Sequence, residues 1–363
     1  MNNFFKIDWL VIVVITLLLG IGLTALYSVS FIEGNFSPNN FYKQIIAIII
    51  GIALMLFFSF YDYRAFNSYS TKLYLILLIF LVGVIFLGMN VRGTRGWLNF
   101  GEFNFQPVEV AKLVMIIFLA SFLSKKKSHL SEVVKIITSL ILVFVPVFFV
   151  LRQPDFGSAA IIIGIWVSIL LVSGIDRKNI AIFFLIGAVA ISSSWFFLKD
   201  YQKERLKNVT NPYNDPRGSG YNVIQSMVAV GSGGAFGKGL GHGSQSQLNF
   251  LPEKHTDFIF AVIAEELGFA GVIFVFALFT VLFYRIKETA RLARDNFGYL
   301  LAVGIMAMFF LQIVVNVGMN TGMSPIAGIP LPFLSYGGSS IVIVLASIGI
   351  IQSIYIRRLK ALD

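Results

Sequence analysis

Long apolar runs recur from one end of this chain to the other, separated by short polar or basic stretches. Ten of them approach the length of a bilayer-crossing helix: roughly 9–29, 42–60, 72–90, 107–124, 133–151, 157–174, 179–198, 258–284, 298–319 and 339–356. Most carry almost no charge. The exceptions are Glu109 and Lys112 in the fourth run and Glu265 and Glu266 in the eighth. The pattern predicts an all-α integral membrane protein of about ten transmembrane helices. Residues 1–363 form a single polytopic membrane domain, with a long loop at about 199–257 before the eighth span. The first run follows a weakly basic start and has no convincing small-residue cleavage site, so it reads as a retained span.

Composition agrees. Of 363 residues, 57% are hydrophobic and 13% charged, too little charge to cover a soluble surface of this size. The net charge of +10 would raise nucleic acid as a partner in a soluble protein. Here the basic residues cluster between apolar runs, which fits membrane lipid headgroups and no nucleic acid. There are no cysteines, which excludes disulfides and thiol chemistry.

Basic residues also set an orientation. With the N-terminus inside, the inner segments hold sixteen Lys and Arg, including Lys125–Lys127, Arg285 to Arg294 and Arg357–Arg358; the short outer loops hold four. The positive-inside rule then makes both termini cytoplasmic and the 199–257 loop extracytoplasmic. It puts 91–106, 199–257 and 320–338 on one outer side. The last of these is rich in proline and glycine and uncharged, which predicts irregular backbone buried in protein or lining a wet cavity.

Several residues could carry chemistry. Asp257 stands where the long loop becomes the eighth helix, a place that suits a helix cap or a working carboxylate at the membrane edge. Helical phase puts Ala261, Ala264, Glu265 and Gly268 on its side, suggesting a groove of small residues for a lipid chain or a neighbouring helix. Glu265 is deep enough to be a functional candidate by burial alone, and Glu266 faces another way. Glu109 and Lys112, at i and i+3, suit an ion pair, either bracing the bundle or shaping a site. Gln312, Asn316 and Asn320 form a polar stripe on the ninth span. The run Gly231–Gly243 fails the P-loop pattern, with Ser232 and Gly239 in the wrong places, although its amides could cradle a pyrophosphate. No metal motif is present. A carboxylate such as Asp257, together with a substrate phosphate, could still hold a divalent cation, Mg²⁺ or Mn²⁺. A buried-charge transporter or lipid flippase is the rival class to an enzyme.

Long strings of this sequence resemble the SEDS family (RodA, FtsW, SpoVE), and within it the RodA branch. They are Arg95-Gly96-Trp97-Leu98, Gln106-Pro107-Val108-Glu109-Val110-Ala111-Lys112, Gln153-Pro154-Asp155-Phe156-Gly157, Gly220 to Gly243, Leu251 to Ala261, Asn320-Thr321-Gly322 and Gly328 to Ser340. The resemblance implies a peptidoglycan glycosyltransferase of the bacterial cytoplasmic (inner) membrane, polymerising lipid II into β-1,4 glycan strands for cell elongation and rod shape. It implies Asp257 as the catalytic residue and Glu109–Lys112 as a site-shaping ion pair. Arg95 and Gln106 follow from the resemblance as candidate pyrophosphate or headgroup contacts, and Lys254, His255, Glu265 and Asn320 are further candidate substrate contacts. A class B penicillin-binding protein transpeptidase and the elongation machinery are the implied partners.

Overall fold

The computed structural model describes residues 6–32, 35–36, 39–91, 94–101, 103–125, 131–194, 220–248, 250–251 and 253–358. Much of the long loop before the eighth apolar run, 195–219, lies outside them. The elements in chain order are α1 (Trp9–Ser28), β1 (Phe31–Ile32), β2 (Asn35–Phe36), α2 (Asn39–Phe60), α3 (Arg64–Leu87), β3 (Met89–Val91), β4 (Thr94–Phe100) and β5 (Phe103–Phe105). Then follow α4 (Pro107–Leu123), α5 (Glu132–Arg152), α6 (Phe156–Val172), α7 (Arg177–Ser194), α8 (Tyr221–Ser232), α9 (Ser244–Gln247), α10 (Ile259–Arg291), α11 (Asn296–Asn320) and α12 (Gly338–Ile356).

Each apolar run is a helix. Among the described residues seven helices, α1, α2, α3, α5, α10, α11 and α12, are long and apolar enough to cross a membrane. The 17-residue helices α4 and α6 reach only about 26 Å at 1.5 Å per residue, short of a bilayer core. Hydropathy also misjudged some ends. α3 begins at Arg64, eight residues before its apolar run, and α10 continues to Arg291, because a helix does not stop where its side chains become polar.

α4 is the centre of the bundle and is buried on nearly every side, so its two charges lie inside protein. Lys112 donates to Glu109 at 2.7 Å, and neither reaches solvent. α2 and α12 pack closely because Gly349 has no Cβ to push against the Met55 backbone. Large apolar side chains such as Phe86, 81% exposed, form the outer belt expected to face lipid. Strands β3–β4–β5 make an antiparallel sheet between α3 and α4.

α10 is broken at Gly268, which has φ +66° and ψ −167°. The break frees main-chain groups that apolar surroundings cannot satisfy. The glycine-rich segment after α8 satisfies them. Lys238 N and Gly239 N donate to the carbonyls of Glu265 and Glu266, and Gly234 O and Ala235 O accept from Phe269 N and Ala270 N. A Cβ on Gly237 would collide with Glu266 O, so glycine is required there.

Candidate functional site

Asp257 lies in the turn 253–258, just ahead of α10. It is not in the helix: Phe258 is the capping residue and makes no side-chain cap bond. The main chain around Asp257 is held firmly. Three successive carbonyls of the turn are taken. His255 O accepts from Tyr336 N at 2.9 Å, and Thr256 O accepts from Ser335 Oγ at 2.7 Å. Asp257 O accepts from both Asn316 Nδ2 and Asn320 Nδ2, each at 3.0 Å. The i, i+4 spacing of the two asparagines on α11 brings both amides to one oxygen. Asn320 Oδ1 accepts from Ser226 Oγ and from Ala261 N, an otherwise orphaned amide in the first turn of α10. Gln44, buried within α2, completes the frame by bonding Ser335 O and Gly337 N.

The side chain of Asp257 lines a cleft of about 300 Å³ with Gln106, Asp155, Tyr336, Ser339 and Trp97 among its walls. The N-terminal ends of three helices meet there: α4 through Gln106, α6 through Asp155 to Gly157, and α12 through Gly337 to Ser340. Asp257 precedes a fourth, α10. Helix N-termini carry partial positive charge and favour anions, so the cleft combines an anion-favouring wall with two carboxylates. Asp155 caps α6, its Oδ1 accepting from Ser158 N at 2.9 Å. Ser339 Oγ accepts from Gln106 N and donates to Asn104 O, joining α12 to the β5–α4 corner.

The expected site residues divide. Gln106 lines the cleft beside Asp257, and Asn320 holds the Asp257 main chain. The Glu109–Lys112 pair lies one turn into α4 from Gln106, inside the bundle and behind the cleft wall. Arg95 is exposed on β4 and does not line the cleft. His255 is half-buried and contributes its carbonyl to the turn. Lys254 is buried, its ammonium directed at Ser246 O at 2.5 Å. Glu265 is fully buried on the glycine-rich segment, accepting from Lys238 Nζ, Gln245 N and Ser246 N.

Two expectations are therefore corrected. The helical phase that grouped Asp257 with Ala261, Ala264, Glu265 and Gly268 does not apply, because Asp257 precedes the helix. The strip of small residues is filled by the chain's own glycine-rich segment: a Cβ on Gly233 would meet Ala264, and one on Gly268 would meet Gly237. Of the amides of that segment, Lys238 N and Gly239 N are bonded to α10 carbonyls, and Gly241 N is bonded to Ser28 Oγ and Glu266 Oε1. Glu266 faces another helix, as its phase indicated, and accepts from Ser28 Oγ of α1.

Asp155, Thr256 and Ser335 escaped sequence reasoning as site residues. Asp155 had a usable signal: an aspartate three residues before Ser158 at the head of an apolar run is an N-cap pattern. Among the described residues no group of three or more His, Cys, Asp or Glu could enclose a metal ion.

The sequence and the fold have counterparts in known proteins. A family of cell cycle proteins, FtsW/RodA/SpoVE, matches residues 8–359. The chain is 39% identical over 317 residues to the peptidoglycan glycosyltransferase MrdB of Escherichia coli (strain K12), covering 87% of this chain and 85% of that one. It is 37% identical over 357 residues to stage V sporulation protein E of Bacillus subtilis (strain 168), covering 96% of both. Its fold matches a solved chain from a study of the structural coordination of polymerization and crosslinking by a peptidoglycan synthase complex. The TM-score there is 0.83 at 30% identity, over 98% of this chain and 99% of that one.

Proposed function

The chain belongs to the FtsW/RodA/SpoVE family of cell cycle proteins, and from that premise we propose that it is a peptidoglycan glycosyltransferase of the bacterial cytoplasmic membrane, polymerising lipid II. The observation that carries this reading is the Asp257 carboxylate, presented to a cleft by a turn whose main chain is held on three consecutive carbonyls. A base must be placed to within a fraction of an ångström of the proton it takes, and a turn held in this way does that.

In the proposed step, Asp257 accepts the proton from the 4-hydroxyl of the acceptor's N-acetylglucosamine. That oxygen attacks the anomeric carbon of the donor's N-acetylmuramic acid. The bond from that carbon to the diphosphate oxygen breaks, its electron pair leaves with undecaprenyl pyrophosphate, and the α-linkage inverts to β-1,4. Helix N-termini around the cleft suit the charge that grows on the departing diphosphate. The oxygen donors of Asp257 and Asp155 fit a hard divalent cation shared with substrate phosphates, which would stabilise that same charge. The positive-inside bias supports a cleft facing outward. The fold's likeness to a chain of a synthase complex supports a crosslinking partner, a class B penicillin-binding protein transpeptidase.

The test is strand synthesis from purified lipid II by the protein with such a transpeptidase in nanodiscs. Asp257→Asn should lower the rate by about 10²–10⁴-fold, the range of a lost general base. Strand synthesis by that variant at the wild-type rate would sink the assignment.

A further inference from the structure

Lys254 and Glu265 are two buried charges that the proposed reaction does not use. Glu265 is fully buried in α10, eight residues after Asp257 in sequence. Its Oε1 accepts from Lys238 Nζ at 2.9 Å and Gln245 N at 3.0 Å, and its Oε2 accepts from Ser246 N at 3.1 Å. A carboxylate has about four acceptor positions, and here an ammonium and two consecutive amides already fill most of them. Glu265 is thus committed to holding α9, the short helix carrying Gln245 and Ser246. Lys254, 4% exposed, donates to the carbonyl of that same Ser246 at 2.5 Å. Burial pushes its ammonium down from the ordinary lysine range, and Glu266 opposes the shift.

These contacts close a ring. From α10 it runs through Glu265 to the main chain of Ser246, then through Lys254 to the turn, and back through Asp257 into α10. The turn's carbonyls at 255–257 are held from the opposite side by α11 and by the loop at 335–336. Charge-assisted bonds are shorter and about twice as strong as neutral ones, so this side of the turn is held stiffly. We propose that Lys254 and Glu265 are positioning residues for Asp257, acting through the Ser246 main chain, and not contacts to the substrate diphosphate. The inference rests on the reading of Asp257 as the reacting carboxylate.

The experiment compares Lys254→Met and Glu265→Gln with wild type in two ways. Hydrogen–deuterium exchange on the full chain in nanodiscs needs no substrate. Both variants should exchange about tenfold faster at 253–258, the effect of losing one charge-assisted bond, with 338–356 unchanged. In strand synthesis, kcat should fall about tenfold with KM for lipid II unchanged, and Lys254→Arg should recover most of the loss. The double variant should be no worse than the poorer single one, because both break one ring. Unaltered exchange at 253–258 overturns the proposal, as does faster exchange across the whole chain, which would make the role one of general stability. A raised KM with kcat retained also overturns it, since that assigns Lys254 to substrate. A wild-type chain that makes no strands would defeat the polymerase reading, while the exchange result would still decide whether the ring holds the turn.

Discussion

Asn320→Leu should damage catalysis without touching the cleft. The leucine keeps the branched shape of the amide, though it is bulkier, and removes its every polar contact. Asp257 O loses one of its two donors and keeps Asn316. Ser226 Oγ still has Asn320 O as acceptor, whereas Ala261 N is left buried without its side-chain partner. A neutral hydrogen bond contributes about 0.5–1.5 kcal/mol net, and an orphaned buried donor costs about 1–3 kcal/mol. The sum is roughly 2–4 kcal/mol of support removed from the turn. If half or more of it bears on how Asp257 is held, kcat falls about 5–30-fold or further, at about 1.4 kcal/mol per tenfold. Asn320→Asp should be worse, since it turns a carboxylate oxygen toward the carbonyls of Asp257 and Asn316. Both variants are compared by strand synthesis from lipid II per folded molecule, with the folded fraction taken from size-exclusion profiles and thermal unfolding. A kcat for Asn320→Leu within about twofold of wild type, at equal folded fraction, would refute the argument that the turn's main chain sets the activity of Asp257.

Lys112→Met should lower stability by about 3–5 kcal/mol, because it leaves the Glu109 carboxylate buried without its partner. The double variant with Glu109→Gln should return close to wild type in thermal unfolding, and equal losses in the single and double variants would contradict a mainly structural pair. Just before the start of α3, burial raises the Tyr63 hydroxyl from 10.0 to about 12, with Asp295 adding to the shift. A raised value in the folded chain means that this contribution to stability is complete below pH 10 and is lost as pH rises toward 12. Phenolate absorbance should follow that titration, and Tyr63→Phe should flatten this part of the stability profile.

Hydropathy read the helices because the bilayer imposes one requirement on every span: apolar side chains over a fixed length. It could not read α10 correctly, because a single Gly268 interrupts an otherwise unbroken run and glycine is common in membrane helices. The meaning of that glycine depends on Lys238 and Gly239, about thirty residues earlier in sequence. The glycine-rich segment was conspicuous for the same reason that it was misread. Glycines permit close approach to a phosphate or to another backbone, and only the fold tells which.

The site was less legible than the fold, because most of what holds it is main chain. A sequence displays side chains. It picked out Asp257, the 4-residue spacing of Asn316 and Asn320, and the Glu109–Lys112 pair, all polar groups in apolar surroundings. It could not display that two of those amides meet on one carbonyl, or that Ser335 and Tyr336 reach the adjacent two. The error over Glu265 has the same root. Phase along a helix predicts neighbours only where the helix exists, and Asp257 lies two residues before α10 begins. Placing the carboxylate outside the helix removes it from the helical ladder, so its orientation must come from other parts of the chain. That is why residues from α11 and from the loop before α12, itself braced by Gln44 of α2, converge on one turn, and why substitutions far from the cleft should be felt at Asp257.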